Sequence, residues 1–202
     1  MSLITKVSDD IKLYEGTVSE CINQCRKDRR LVMSLSDVAS ARYKFGFKEG
    51  FEQPIVVSDS VLYTPDERVY LVPPVFNPIL KRPNAYARSV AENKGLWIED
   101  SEMKLLKCNS RLINESWATS ERGASLISYF TEDITEYMLG QIARRYGSKL
   151  KRNGVEGLKI SFEEGADLVP YIRPMIFSLE EITDNFDEVD KEKVLLCGMK
   201  VK

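Results

Sequence analysis

Three short runs of β-branched and aromatic residues between Pro54 and Val72 constrain this chain more than any other feature. They are Ile55-Val56-Val57, Val61-Leu62-Tyr63 and Val69-Tyr70-Leu71-Val72, with the polar Thr64-Pro65-Asp66-Glu67 between the last two. Such residues favour a pleated surface, and a Pro-Asp turn between two of the runs predicts a β-hairpin, so the fold contains antiparallel sheet. Pro73-Pro74 cannot continue a ladder and ends the last strand.

Helical patterns flank these runs. Thr17-Val18-Ser19-Glu20 has the form of a capping box, and Val18, Cys21, Ile22 and Cys25 then recur at helical spacing on one apolar face. Arg26, Lys27, Arg29 and Arg30 gather where cations complement a helix C-terminus. Pro83 opens a second helix through Ala85, Ala87, Val90 and Ala91, ending near Gly95. Leu96 to Glu99 and Leu105 to Cys108, on either side of Asp100-Ser101-Glu102, predict a second hairpin. From Ala124 to Tyr146, Ile127, Phe130, Ile134, Met138 and Ile142 follow three- and four-residue steps, which predicts the longest helix, about 30 Å at 1.5 Å per residue. Strands are expected at 158–162, 169–177 and 194–201, and a capping box at Ser178-Leu179-Glu180-Glu181 predicts one more helix.

The pattern predicts an α+β fold: a mixed or antiparallel sheet built from hairpins, packed against one long central helix and shorter helices. With 202 residues, 43% hydrophobic and 30% charged, the chain is expected to form one globular domain over residues 1–202. No apolar run approaches the roughly 20 residues of a membrane span and the first residues lack a signal-peptide plan, so a cytoplasmic protein without membrane contact is expected. Cys21, Cys25, Cys108 and Cys197 are read as reduced thiols.

The chain has no histidine. That removes Ser-His-Asp hydrolases, Cys-His proteases and histidine-centred phosphodiesterases, along with most zinc sites. Neither G-x-G-x-x-G nor G-x-x-x-x-G-K-[ST] occurs, so the common nucleotide cradles are missing too. Carboxylates holding Mg²⁺ beside a lysine remain a possible chemistry without histidine.

Pro65-Asp66 and Glu102-Met103-Lys104 resemble the two halves of the PD-(D/E)xK nuclease motif. The resemblance implies a Mg²⁺-dependent nuclease in which Asp66 or Asp100 binds metal with Glu102, and Lys104 assists hydrolysis. Solvated turns are the other reading of the same residues.

The densest basic stretch, Arg144, Arg145, Lys149, Lys151 and Arg152, either meets nucleic-acid phosphate or complements the end of a helix. With a net charge of -2, nucleic-acid contact needs such a local patch. The acidic segment from Glu180 to Glu192 lacks the glycine of a calcium loop and is read as solvated, or as a dock for a basic partner. Trp97, Trp117, Tyr171 and the Pro73-Pro74-Val75-Phe76 segment offer large apolar surface near loops, and Pro73, Pro74, Phe76 and Trp97 are the candidate interface residues. The leading expectation is a non-catalytic interaction or assembly protein without a cofactor, a homo-oligomer or partner of another protein, with the Mg²⁺ nuclease as the alternative.

Overall fold

In the computed structural model, which describes residues 3–47, 50–92, 95–113, 124–127, 138–155, 158–162, 169–184 and 193–201, the chain has the α+β architecture that its pattern predicts. Strands β1 (Leu3–Lys6) and β2 (Ile11–Gly16) lead into α1 (Val18–Lys27), β3 (Arg30–Val32) and α2 (Leu35–Phe45). Next come β4 (Ile55–Tyr63), β5 (Val69–Val72), a 3-10 turn at Pro74–Phe76, α3 (Pro78–Lys81) and α4 (Pro83–Glu92). Then β6 (Leu96–Trp97), α5 (Asp100–Cys108), β7 (Arg111–Ile113) and β8 (Ala124–Ile127) precede α6 (Ala143–Arg152). Strands β9 (Leu158–Ser161), β10 (Tyr171–Phe177), β11 (Glu181–Thr183) and β12 (Val194–Lys200) complete the described chain.

The described strands form one mixed sheet whose main path runs β1-β2-β12-β4-β10-β11-β9-β8, with β3 paired to β12, β5 to β4, β6 to β10 and β7 to β5. Strands β12 and β4 pair in parallel, as do β11 and β9, and the other pairs are antiparallel. The hairpin predicted from Pro54 to Val72 is present, with Tyr63 opposite Val69. Pairing of β2 with β12 brings the two ends of the described chain together.

Helices cover both faces of the sheet, so its central strands have two buried sides. On β4, Ile55, Val57, Val61 and Tyr63 enter a core with Leu35, Val38, Tyr146 and Leu150 from α2 and α6. Val56 and Leu62 enter a second core with Val18, Ile22, Tyr86 and Leu106 from α1, α4 and α5. Each fully buried aliphatic side chain contributes roughly 1.5–3 kcal/mol. At Gly198 the sheet comes so close to α1 that a Cβ would lie 2.6 Å from Cys25 Sγ and 2.8 Å from Tyr14, leaving room only for glycine.

Three local expectations are corrected. Ala124 to Ile127 is not the start of a long central helix; it pairs antiparallel with β9, Ala124 opposite Ser161 and Ile127 opposite Leu158. Gly140 adopts φ +59° in a 3-10 turn between the helical Met138 and Leu139 and the start of α6, so the glycine breaks the expected helix rather than lying inside it. Phe130 and Ile134 of the expected helix lie outside the described residues. Residues 100–108 form α5 instead of the second arm of a hairpin, because Met103 and Leu106, three apart, both turn into the second core. The Ser178 box closes a turn between β10 and β11: Ser178 Oγ accepts from Glu181 N–H at 2.8 Å, but Glu181 then pairs in a sheet.

Candidate binding site

The middle of β4 reads Val57-Ser58-Asp59-Ser60-Val61, a polar triplet inside a strand buried on both sides. Its partner β10 carries Pro174, which has no N–H to give a central ladder. Pro174 is opposite Ser60 and the next residue, Met175, is opposite Val57, so Ser58 and Asp59 form a bulge.

Other segments satisfy the backbone that the bulge releases. Ser58 N–H donates to Met33 O at 2.9 Å, and Ser58 O accepts from Asn77 Nδ2 at 2.7 Å. The buried Asn77 also caps α3, its Oδ1 accepting from Ile79 N–H at 2.9 Å. One side chain therefore ties the Pro73 to Phe76 segment to the bulge. The Ser58 and Ser60 hydroxyls are buried without a hydrogen-bond partner among the described residues.

Asp59 points to the core shared with α2. Its Oδ2 accepts from Leu35 N–H, the first residue of that helix, at 2.7 Å. The same helix start holds a second carboxylate, because Ser34 and Asp37 form a reciprocal capping box. Burial pushes the Asp59 carboxyl up to about 6; the Leu35 N–H opposes the rise and Asp37 adds to it. Beside Asp59 lies a cavity of about 250 Å³, walled by Leu35, Leu71, Val72, Pro73, Met138 and Met175. The arrangement is an apolar pocket with one carboxylate in its wall.

Of the candidate interface residues, Pro73 lines this cavity, while Pro74 and Phe76 are half-buried around Val75, which is 76% exposed. Trp97 is 53% exposed on β6, in register with Tyr171 of β10. Trp117 lies outside the described residues.

The residues of the nuclease resemblance are spread over a turn and a helix. Asp66 sits in the β4–β5 turn, bonded to the Thr64 hydroxyl and paired with Lys107 at 3.3 Å, and these contacts hold its carboxyl below the usual range. Glu102 accepts from Arg82 Nη2 with both oxygens, at 2.8 and 2.6 Å. Asp100 and Lys104 are exposed on the same helix, α5. Among the described residues no group of three or more cysteine, aspartate or glutamate side chains is placed to hold a metal ion.

In the basic stretch, Lys149 is half-buried and committed to backbone: its Nζ donates to Arg42 O at 2.9 Å and Tyr43 O at 2.6 Å, capping the C-terminal turn of α2. Arg144, Arg145, Lys151 and Arg152 are exposed, and Arg152 Nε donates to Ser148 O within its own helix at 3.2 Å. Of the acidic segment, Asp184 is fully buried and accepts from Tyr63 at 2.6 Å, while 185–192 lies outside the described residues. No helix among the described residues is long and apolar enough to cross a membrane.

No family model and no curated protein matches this chain. A solved structure described as "Accommodation of massive sequence variation in Nanoarchaeota by the C-type lectin fold" resembles it with a TM-score of 0.71 at 14% identity. The match covers 96% of this chain and 100% of that one, and it shows a shared fold.

Proposed function

We propose that this chain is a non-catalytic binding protein that engages a protein partner, a second copy of itself included, through apolar side chains displayed on a C-type lectin fold. The observation that carries the reading is the Pro73 to Phe76 segment, which holds Val75 76% exposed while Asn77 anchors its base in the sheet. Trp97, of a residue type that dominates interface energetics, is a second exposed anchor. The description of the similar structure speaks of massive sequence variation accommodated by this fold. Tolerance of that kind suits a scaffold whose surface is free to change while its core holds, and this support is analogy at the level of the fold. Any contact with nucleic acid is proposed at Arg145 and Lys151, as phosphate binding without sequence readout.

Sedimentation velocity across a concentration series tests self-association. The expected result is a concentration-dependent rise in mean sedimentation coefficient that Val75→Asp or Trp97→Asp diminishes. A strict monomer throughout, unchanged by either substitution, removes the self-assembly form of the proposal.

A further inference from the structure

We propose that the cavity beside Asp59 is a recognition pocket for a lysine side chain presented by a protein partner, with the alkyl stem against the apolar wall and the ammonium on the Asp59 carboxylate. This deepens the binding-protein reading and rests on it.

Four features of the pocket point to that occupant. At about 250 Å³ it lies below the roughly 300–1,000 Å³ of small-molecule sites, a size suited to one side chain. Its wall is apolar except for Asp59, and two of its side chains, Met138 and Met175, adapt readily to an inserted group. Lysine combines the two parts required, a flexible apolar stem and a terminal cation. The carboxylate has already given one oxygen to Leu35 N–H, which suits the point charge of an ammonium better than the two-oxygen fork preferred by a guanidinium.

An ionised carboxylate against an apolar wall is costly compared with a hydrophobic residue of similar size, and a cation relieves the cost. Asp37, on the first turn of α2, adds to the local negative charge. Of the lining residues, Asp59 and Pro73 are the half-buried ones, and Pro73 is the first residue of the segment that leads to the exposed Val75, which places the carboxylate and that segment on the same pocket wall.

The test is a titration of protein carrying ¹³C-methyl methionine with Nα-acetyl-lysine methylamide, following the Met138 and Met175 methyl signals. The expected result is a saturable shift of both signals, absent with the uncharged norleucine analogue and weakened at least about tenfold in Asp59→Asn, the loss of one charge-assisted bond. No shift, an equal shift with the norleucine analogue, or undiminished binding by Asp59→Asn overturns the proposal. So does binding of butylammonium without the lysine probe, which would assign the pocket to a free amine. The comparison of the two analogues uses the wild-type protein and stands whether or not the variant folds. Because the readout is confined to the pocket, its failure leaves the sedimentation result intact, and a monomeric protein that binds the probe loses only self-assembly.

Discussion

The guanidinium of Arg42 lies 4.5 Å from the centre of the Phe177 ring, and its Nη2 donates to the carbonyl oxygen of that same residue at 2.8 Å. Arg42 is fully buried, and its other donors reach Phe51 O at 2.9 Å, Gln53 O at 3.0 Å and Ser178 O at 2.7 Å, with the Tyr146 hydroxyl at 3.4 Å. One side chain thus joins α2 to the loop before β4 and to the end of β10. Replacing it strands buried carbonyls and opens a void. Arg42→Met is expected to cost about 3–5 kcal/mol, and Arg42→Lys nearly as much, because an ammonium cannot span the same carbonyls. Urea unfolding followed by tryptophan fluorescence would measure it. A loss under about 1 kcal/mol would show that the network contributes little.

Asp59 predicts an unusual dependence of stability on pH. Its carboxyl is raised to about 6 from 3.8, so the folded state holds the proton more tightly than the unfolded state. Its favourable contribution is therefore complete below about pH 4 and is lost as pH rises through about 6. The fully ionised group costs up to about 3 kcal/mol relative to its protonated form. Asp59→Asn, which keeps an acceptor for Leu35 N–H, should be more stable than wild type near pH 7.5, with the gain shrinking toward about pH 4.5. A gain that grows on acidification would contradict this.

Lys149 is expected to matter for stability rather than for phosphate binding. Lys149→Ala removes two bonds to the terminal carbonyls of α2 and should cost about 1 kcal/mol, while Lys151→Ala should stay within about 0.5 kcal/mol. Thermal unfolding of the two variants separates the cases. Equal effects would mean that the Lys149 contacts are not formed in solution.

Thiol chemistry probes α1. Burial pushes Cys21 and Cys25 up to about 12 and raises Cys197 as well, whereas Cys108 is exposed. A disulfide reagent added to native protein should modify Cys108 alone, and Cys108→Ser should remove the fast reaction. All four cysteines should react in denaturant. A second fast equivalent would report opening of the helix.

Features closed by neighbours in the chain were legible. Thr17 and Glu20 cap each other within one turn, and the sequence from Thr17 predicts α1 as it stands. The β4–β5 hairpin is read from its Pro-Asp turn and flanking runs. Helix α2 was missed although Ser34 and Asp37 form a capping box and Leu35, Val38 and Ala39 follow at helical spacing, since the next position on that face is a charged residue, the buried Arg42. Asp59 had a signal in Ser58-Asp59-Ser60, polar residues interrupting an apolar strand, but one reading as a gap between two strands.

What the sequence determined by itself was the set of local elements, the sheet-rich α+β class and, through the missing histidine, the chemistries closed to the chain. Each rests on interactions spanning a few residues or on composition alone. Tertiary structure decided the rest. Arg42 meets Phe177 and Ser178 across 135 and 136 residues, Ala124 to Ile127 becomes a strand because β9 supplies its partner, and Asp59 acquires its pocket only where α2, Pro73 and Met138 converge. Burial and charge at these places depend on which distant segments pack together, and no local pattern carries that information.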